Sequence, residues 1–234
     1  MPVGKNITSG STETTAMTDG IERSEKVSRK VFRRYFPLIF ILWILFVLYP
    51  NPLNLIISLQ RVFNFDPDPG AVEFMLNDLP SDPVAIEEVV LARIPYRHDW
   101  KVYGMPWYCP TIEEVLEREP LEGDCKARAL VLASVLEAKN ISYQVNYSPT
   151  HVWVNYEGKQ ETPIENDQVN FSTRDPETGE RRFQIPKISL RKVMDSFWQA
   201  FWDPMPDARK ALLISGLLAL IAARVILRKR KTAQ

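Results

Sequence analysis

Apolar and polar residues alternate between Ile141 and Tyr156, first in Ile141-Ser142-Tyr143-Gln144-Val145-Asn146-Tyr147 and again in Val152-Trp153-Val154-Asn155-Tyr156. A period of two predicts strands with one buried face. The stretch before them has a different pattern. Ala127, Leu130, Val131, Leu132, Ala133, Val135 and Leu136 cover most of the circumference of a helix from Cys125 to Lys139, which is therefore expected to be central. Asp124 is its expected N-cap and Asn140 its C-cap. Thr162-Pro163-Ile164-Glu165 follows a Gly158-Lys159 turn and predicts a third strand, so the helix leads into an antiparallel meander. Upstream, Ser81-Asp82-Pro83 opens a helix whose buried face is Ile86, Val89, Val90 and Ile94. Ala71 to Leu79 and Ile112 to Glu119, the latter entered through Thr111, predict shorter helices. Ser172 to Arg182, with Asp-Pro and Gly, predicts an exposed loop, and Ile188 to Ala200 an amphipathic helix. The fold class is α+β.

Two long apolar runs flank this region. Tyr35 to Tyr49 carries no charge, and Leu53 to Leu59 extends it beyond Pro50 and Pro52. Ala211 to Leu227 is broken only by Arg224, near its end. A bilayer core takes roughly 20 apolar residues, so the first run is short by itself. It starts too late for a secretory signal and lacks a small-residue cleavage site. Buried core helices are the competing reading. Basic clusters (Lys26, Arg29, Lys30, Arg33, Arg34 and Arg224, Arg228, Lys229, Arg230, Lys231) and the aromatic group Phe197, Trp198, Phe201, Trp202 favour membrane. The positive-inside rule puts both termini in the cytoplasm and the middle of the chain outside it. The expected organisation is a basic tail (1–34), disordered over residues 1–25; transmembrane segments over 35–59 and 208–227; an extracytoplasmic domain over 63–205; and a second basic tail (228–234).

Charge narrows the partners. Lys+Arg and Asp+Glu both number 29, which argues against nucleic acid and leaves the lipid bilayer as the partner the sequence itself suggests. Two cysteines exclude a disulfide-rich scaffold and a four-thiolate zinc site, and leave one disulfide, Cys109 to Cys125, open.

Those cysteines also carry the candidate chemistry. Cys125 opens the central helix, in Gly123-Asp124-Cys125-Lys126, and His151 opens a strand, in His151-Val152-Trp153-Val154. An imidazole that takes the thiol proton, and a helix N-terminus that favours the thiolate, make a cysteine nucleophilic at neutral pH. The N–H groups of that helix terminus also suit the oxyanion of a tetrahedral intermediate. The competing reading of Cys125 is a buried structural thiol. Pairing about Gly158 sets Glu165 opposite His151, with Asp167 two residues away on the same face, and either acid would orient the imidazole. His98, in Arg97-His98-Asp99, reads as an ordinary histidine.

Ile94-Pro95-Tyr96-Arg97-His98-Asp99, Thr111-Ile112-Glu113-Glu114-Val115-Leu116, Gly123-Asp124-Cys125-Lys126 and His151-Val152-Trp153-Val154 together resemble the transglutaminase-like cysteine superfamily over about residues 86–167. The resemblance implies a papain-like core with Cys125 as nucleophile and His151 as base. Glu165 stands where the family usually has aspartate, with Asp167 as the alternative. An aromatic residue upstream of the cysteine, Trp107 or Trp100, would help form the oxyanion site. The implied chemistry is acyl-thioester chemistry on a peptide or protein amide, without cofactor or metal, completed by water (hydrolysis) or by an amine (transamidation). The alternative is a catalytically inactive interaction domain of the same fold.

Overall fold

Asp124 starts helix α6 (Cys125–Ala138) by local chemistry, its carboxylate accepting from the Lys126 and Ala127 N–H groups. The computed structural model describes residues 31–32, 34–187 and 189–232; the tail expected to be disordered over residues 1–25 lies outside them. The chain divides into two units, Leu48–Asp207 and Met1–Val47 with Ala208–Gln234.

The larger unit is α+β. Helices α2 (Leu53–Phe63), α3 (Pro83–Arg93), α4 (Asp99–Val102) and α5 (Ile112–Leu116), with a 3-10 helix over Gly70–Asp78, precede α6. The sheet follows: β1 (Tyr143–Tyr147), β2 (Val152–Tyr156), β3 (Ser172–Arg174) and β4 (Arg181–Phe183). Helix α7 (Leu190–Phe197) and a π-helical turn over Trp198–Trp202 close the unit. Asp82 caps α3 through the Ala85 N–H, and Thr111 with Glu114 forms a capping box on α5. Asn140, with φ 53°, sits one residue beyond the Lys139 C-cap in the left-handed region that ends helices.

The core lies where α6 packs on the sheet and on α3. Val131, Val135 and Leu136 of α6, Val145 of β1, Val154 of β2 and Ile86 and Val90 of α3 are all buried in one cluster. Each such side chain contributes roughly 1.5–3 kcal/mol on burial.

The sheet is antiparallel throughout, in the order β2-β1-β3-β4. This corrects the expected meander in two places. Thr162–Glu165 is no strand on β2 but a tight turn, closed by the Thr162 N–H on the Glu165 carbonyl (3.1 Å) and the reverse bond (3.2 Å). Pro163, with no N–H to donate, suits a turn better than a ladder. The segment expected as an exposed loop, residues 172–182, supplies β3 and the start of β4, with Tyr147 of β1 opposite Ser172.

In the smaller unit, α1 (Arg34–Leu48) lies antiparallel to α8 (Asp207–Thr232): Arg209 Nη1 donates to the Val47 carbonyl, Trp43 covers Gly216, and the Arg224 guanidinium lies 4.4 Å from the Phe36 ring centroid. A Cβ at position 216 would sit 2.1 Å from the Trp43 ring, so only glycine permits this approach. Asp207–Arg228 is long and apolar enough to cross a membrane. The first run, expected as one segment over 35–59, is instead two helices broken at Pro50 and Pro52, and it meets the same length criterion only if they are counted together.

Candidate active site

Gly123 brings the chain into α6 against the helix itself: a Cβ there would lie 2.5 Å from Cβ of Ala127. It also bridges to Tyr96, its N–H donating to the Pro95 carbonyl and its carbonyl accepting from Arg97. Cys125 follows, half-buried, at the first position of the helix. The cap takes the next two N–H groups, which leaves the Cys125 N–H as the first-turn donor nearest the thiol.

His151 directly precedes β2. Its carbonyl accepts from the Ser148 N–H (2.8 Å) and the Ser148 hydroxyl, which closes the β1–β2 hairpin around it. The ring stacks on Trp153 with 12° between the planes, and Nε2 donates to Glu165 Oε1 at 2.7 Å. The Cys125 thiol itself lies 4.0 Å from Asp124 Oδ2. Burial lowers the tendency of the imidazole to hold a proton, but the Cys125 side chain and the Glu165 carboxylate outweigh it and raise the pKa to about 9. Glu165, despite the burial that opposes ionisation, is held below the usual carboxylate range by His151 and Lys159.

The turn at Thr162 delivers Glu165 to His151 without the strand register used to expect it. Asp167 does not join the site; it is exposed, and its backbone carbonyl accepts from Gln184.

Lys159 was not legible as a site residue. Its ammonium lies 3.0 Å from Glu165 Oε2 and 2.6 Å from Glu87 Oε1, and the Tyr156 hydroxyl donates to the other Glu87 oxygen. One oxygen of Glu165 thus serves the imidazole and the other a nearly buried cation. The extra methylene of glutamate gives the carboxylate the reach for both.

Beside Cys125, the buried Lys126 ammonium sits between Asp99 Oδ2 (2.9 Å) and Asp124 Oδ2. Burial and the Asp124 charge push Asp99 upward, while its Oδ1 has no hydrogen-bond partner among the described residues. Tyr96 is the other residue without an assigned role in the sequence. Its ring lies 5.2 Å from both the His98 ring and the Arg128 guanidinium, and its hydroxyl is raised above its ordinary range by burial and then by the Cys125 and Asp124 side chains. The two tryptophans considered for the oxyanion site both pack against Phe201. The Trp100 Nε1–H donates to the Phe201 carbonyl (2.8 Å), and Trp107 stacks on Phe201 (5.0 Å between centroids).

Both cysteines are free, so the open disulfide is not formed. Burial pushes the Cys109 thiol up to about 12. No protein-family model, curated protein or solved structure matches this chain. The chemistry of the site therefore rests on its own groups: a half-buried thiol at a helix N-terminus, and an imidazole held by a carboxylate and made more basic by both.

Proposed function

We propose that this protein is a membrane-anchored, transglutaminase-like cysteine enzyme acting outside the cytoplasm on peptide or amide bonds. The observation that carries the reading is the hydrogen bond of His151 to Glu165 at 2.7 Å in a unit whose Cys125 thiol opens α6; Cys125 and then the carboxylate raise the ring against its burial. An imidazolium paired with a carboxylate, in a site whose thiol opens a helix, is the chemistry that makes a cysteine nucleophilic. The packing of α6 on a sheet whose β2 follows His151 supports a papain-like core.

In the proposed reaction the Cys125 sulfur attacks the amide carbonyl, and the oxyanion accepts from the Cys125 N–H. As the C–N bond breaks, His151 passes its proton to the leaving amine and a thioester remains on Cys125. The neutral ring then takes a proton from water or from an incoming amine, which attacks the thioester and releases Cys125. Water makes the step a hydrolysis; a primary amine makes it a transamidation. Glu165 stays ionised throughout and holds the ring in one tautomer.

Anchoring rests on α8, on the antiparallel placement of α1 along it, and on the basic residues at both outer ends, which favour cytoplasmic termini. A membrane-impermeant peptidyl chloromethyl ketone, applied to intact cells expressing the full chain, tests location and chemistry together. Cys125 should be alkylated, and His151→Ala should lose the alkylation while remaining folded. Equal labelling of the His151→Ala protein would refute the Cys-His chemistry, and labelling only after permeabilisation would refute the topology.

A further inference from the structure

Helix α2 is inside out. Its outward face carries Leu53 (59 % exposed), Ile56 (61 %), Ile57, Leu59 and Phe63 (57 %), with Gln60 as its one polar member. The face turned to the protein carries Asn54, Leu55, Ser58, Arg61 and Val62. A surface helix of a water-soluble domain has the opposite arrangement.

The polar side is not solvated but used. Arg61 donates to the Tyr108 hydroxyl (3.1 Å), the Cys109 carbonyl (3.1 Å) and Glu114 Oε2 (3.0 Å). Ser58 Oγ accepts from the Cys109 N–H, and Asn54 Nδ2 approaches the Met105 sulfur. These bonds fix which face of α2 points away, so its apolar exposure is built in and not a matter of rotation.

We propose that α2 lies in the headgroup–acyl boundary of the bilayer, parallel to its surface, with Leu53, Ile56, Leu59 and Phe63 in lipid and the rest of the larger unit on its polar side. This rests on the reading that α1 and α8 cross the membrane. Four residues, Tyr49 to Pro52, separate α1 from α2, a reach of ~14 Å at full extension, so an apolar face on α2 meets lipid before any other partner.

The chain entering α8 points the same way. Phe197 stacks on Phe201 and Phe201 on Trp107, whose neighbour Pro106 accepts through its carbonyl from the Tyr49 hydroxyl (2.8 Å); Trp198, beside them, is 54 % exposed. Aromatic rings concentrate at the bilayer interface. The occupant is lipid and not a continuation of the first span. Eleven residues of α2 rise only ~16 Å, against about 30 Å of hydrocarbon. A crossing helix would also set Ser58 and Arg61 in that hydrocarbon and strip them from Cys109 and Glu114.

The test is photolabelling of the full chain in phosphatidylcholine–phosphatidylglycerol vesicles with a hydrocarbon-soluble carbene precursor, mapped by mass spectrometry. Expected is insertion at Leu53, Ile56, Leu59 and Phe63 several-fold above Leu55, Ser58 and Val62, with α8 labelled along its length. Labelled α8 beside unlabelled α2 would overturn the interfacial placement while leaving the anchor intact. Equal labelling around α2 would make it part of a bent span. Absence of label from α8 as well would remove the anchoring itself, and the inference with it.

Discussion

Replacing Glu165 by Gln isolates the electrostatic part of the site. The amide keeps a group able to accept from His151 Nε2, so the ring stays oriented, but the charge that favours the imidazolium is lost. The rise of His151 from 6.5 to about 9 amounts to ~3 kcal/mol of preference for the charged ring. Burial works against that rise, so Cys125 and Glu165 together supply more than the net figure. Losing the carboxylate charge is expected to lower the His151 midpoint by at least about one pH unit, or ~1.4 kcal/mol. With only two histidines in the chain, carbon-13 histidine labelling of the protein in lipid nanodiscs gives two resonances, assigned with His98→Gln. The same variant should slow alkylation of Cys125 at pH 7, since fewer rings hold the proton that favours the thiolate. The sign for folding follows: His151 binds its proton more tightly when folded, so its contribution to stability is full below about pH 6.5 and is lost as the pH rises through about 9. A midpoint that stays near 9 in Glu165→Gln, or that falls as far in Asp167→Asn, would refute the argument.

Iodoacetamide at pH 7.5 should alkylate Cys125 and spare Cys109, whose thiol burial holds near 12; peptide mapping reads the ratio. Lys159→Met leaves Glu87 and Glu165 without their shared cation, and both carboxylates keep some contact with water, so a loss of ~2 kcal/mol in denaturant unfolding is expected. Gly123→Ala must displace the start of α6 from Ala127, at a cost of ~1–3 kcal/mol, and should slow alkylation of Cys125 more than Gly158→Ala does.

The elements legible in the sequence are those decided within a few residues. Asp124, Asp82 and Thr111 each carry their cap in the next turn, and the alternation of β1 and β2 records one face buried against α6. Strand β3 spans three residues, too few for alternation to register, and its place beside β1 depends on pairing from a distance. Glu165 was found through a register that does not exist: the expected hairpin about Gly158 and the actual turn at Thr162 bring the same residue to His151 by different routes. Lys159, Glu87 and Tyr96 left no local trace. Glu87 stands 72 positions from Lys159 along the chain, and only the packing of α3 beside the sheet makes them neighbours.

The Asp99–Lys126–Asp124 cluster ties the residues on either side of Cys125 to the interior. Removing Lys126 leaves two buried carboxylates without their cation, and removing Asp124 takes the helix cap with it, so a lineage keeps these two residues together. The thiol between them is under no such constraint: a serine or alanine at position 125 would leave the ion cluster and the helix cap whole. Descendants that abandoned the chemistry would therefore still spell Gly-Asp-x-Lys at this helix start. In this fold the durable part of the motif records how the helix is anchored, and the single letter inside it records whether the protein still reacts.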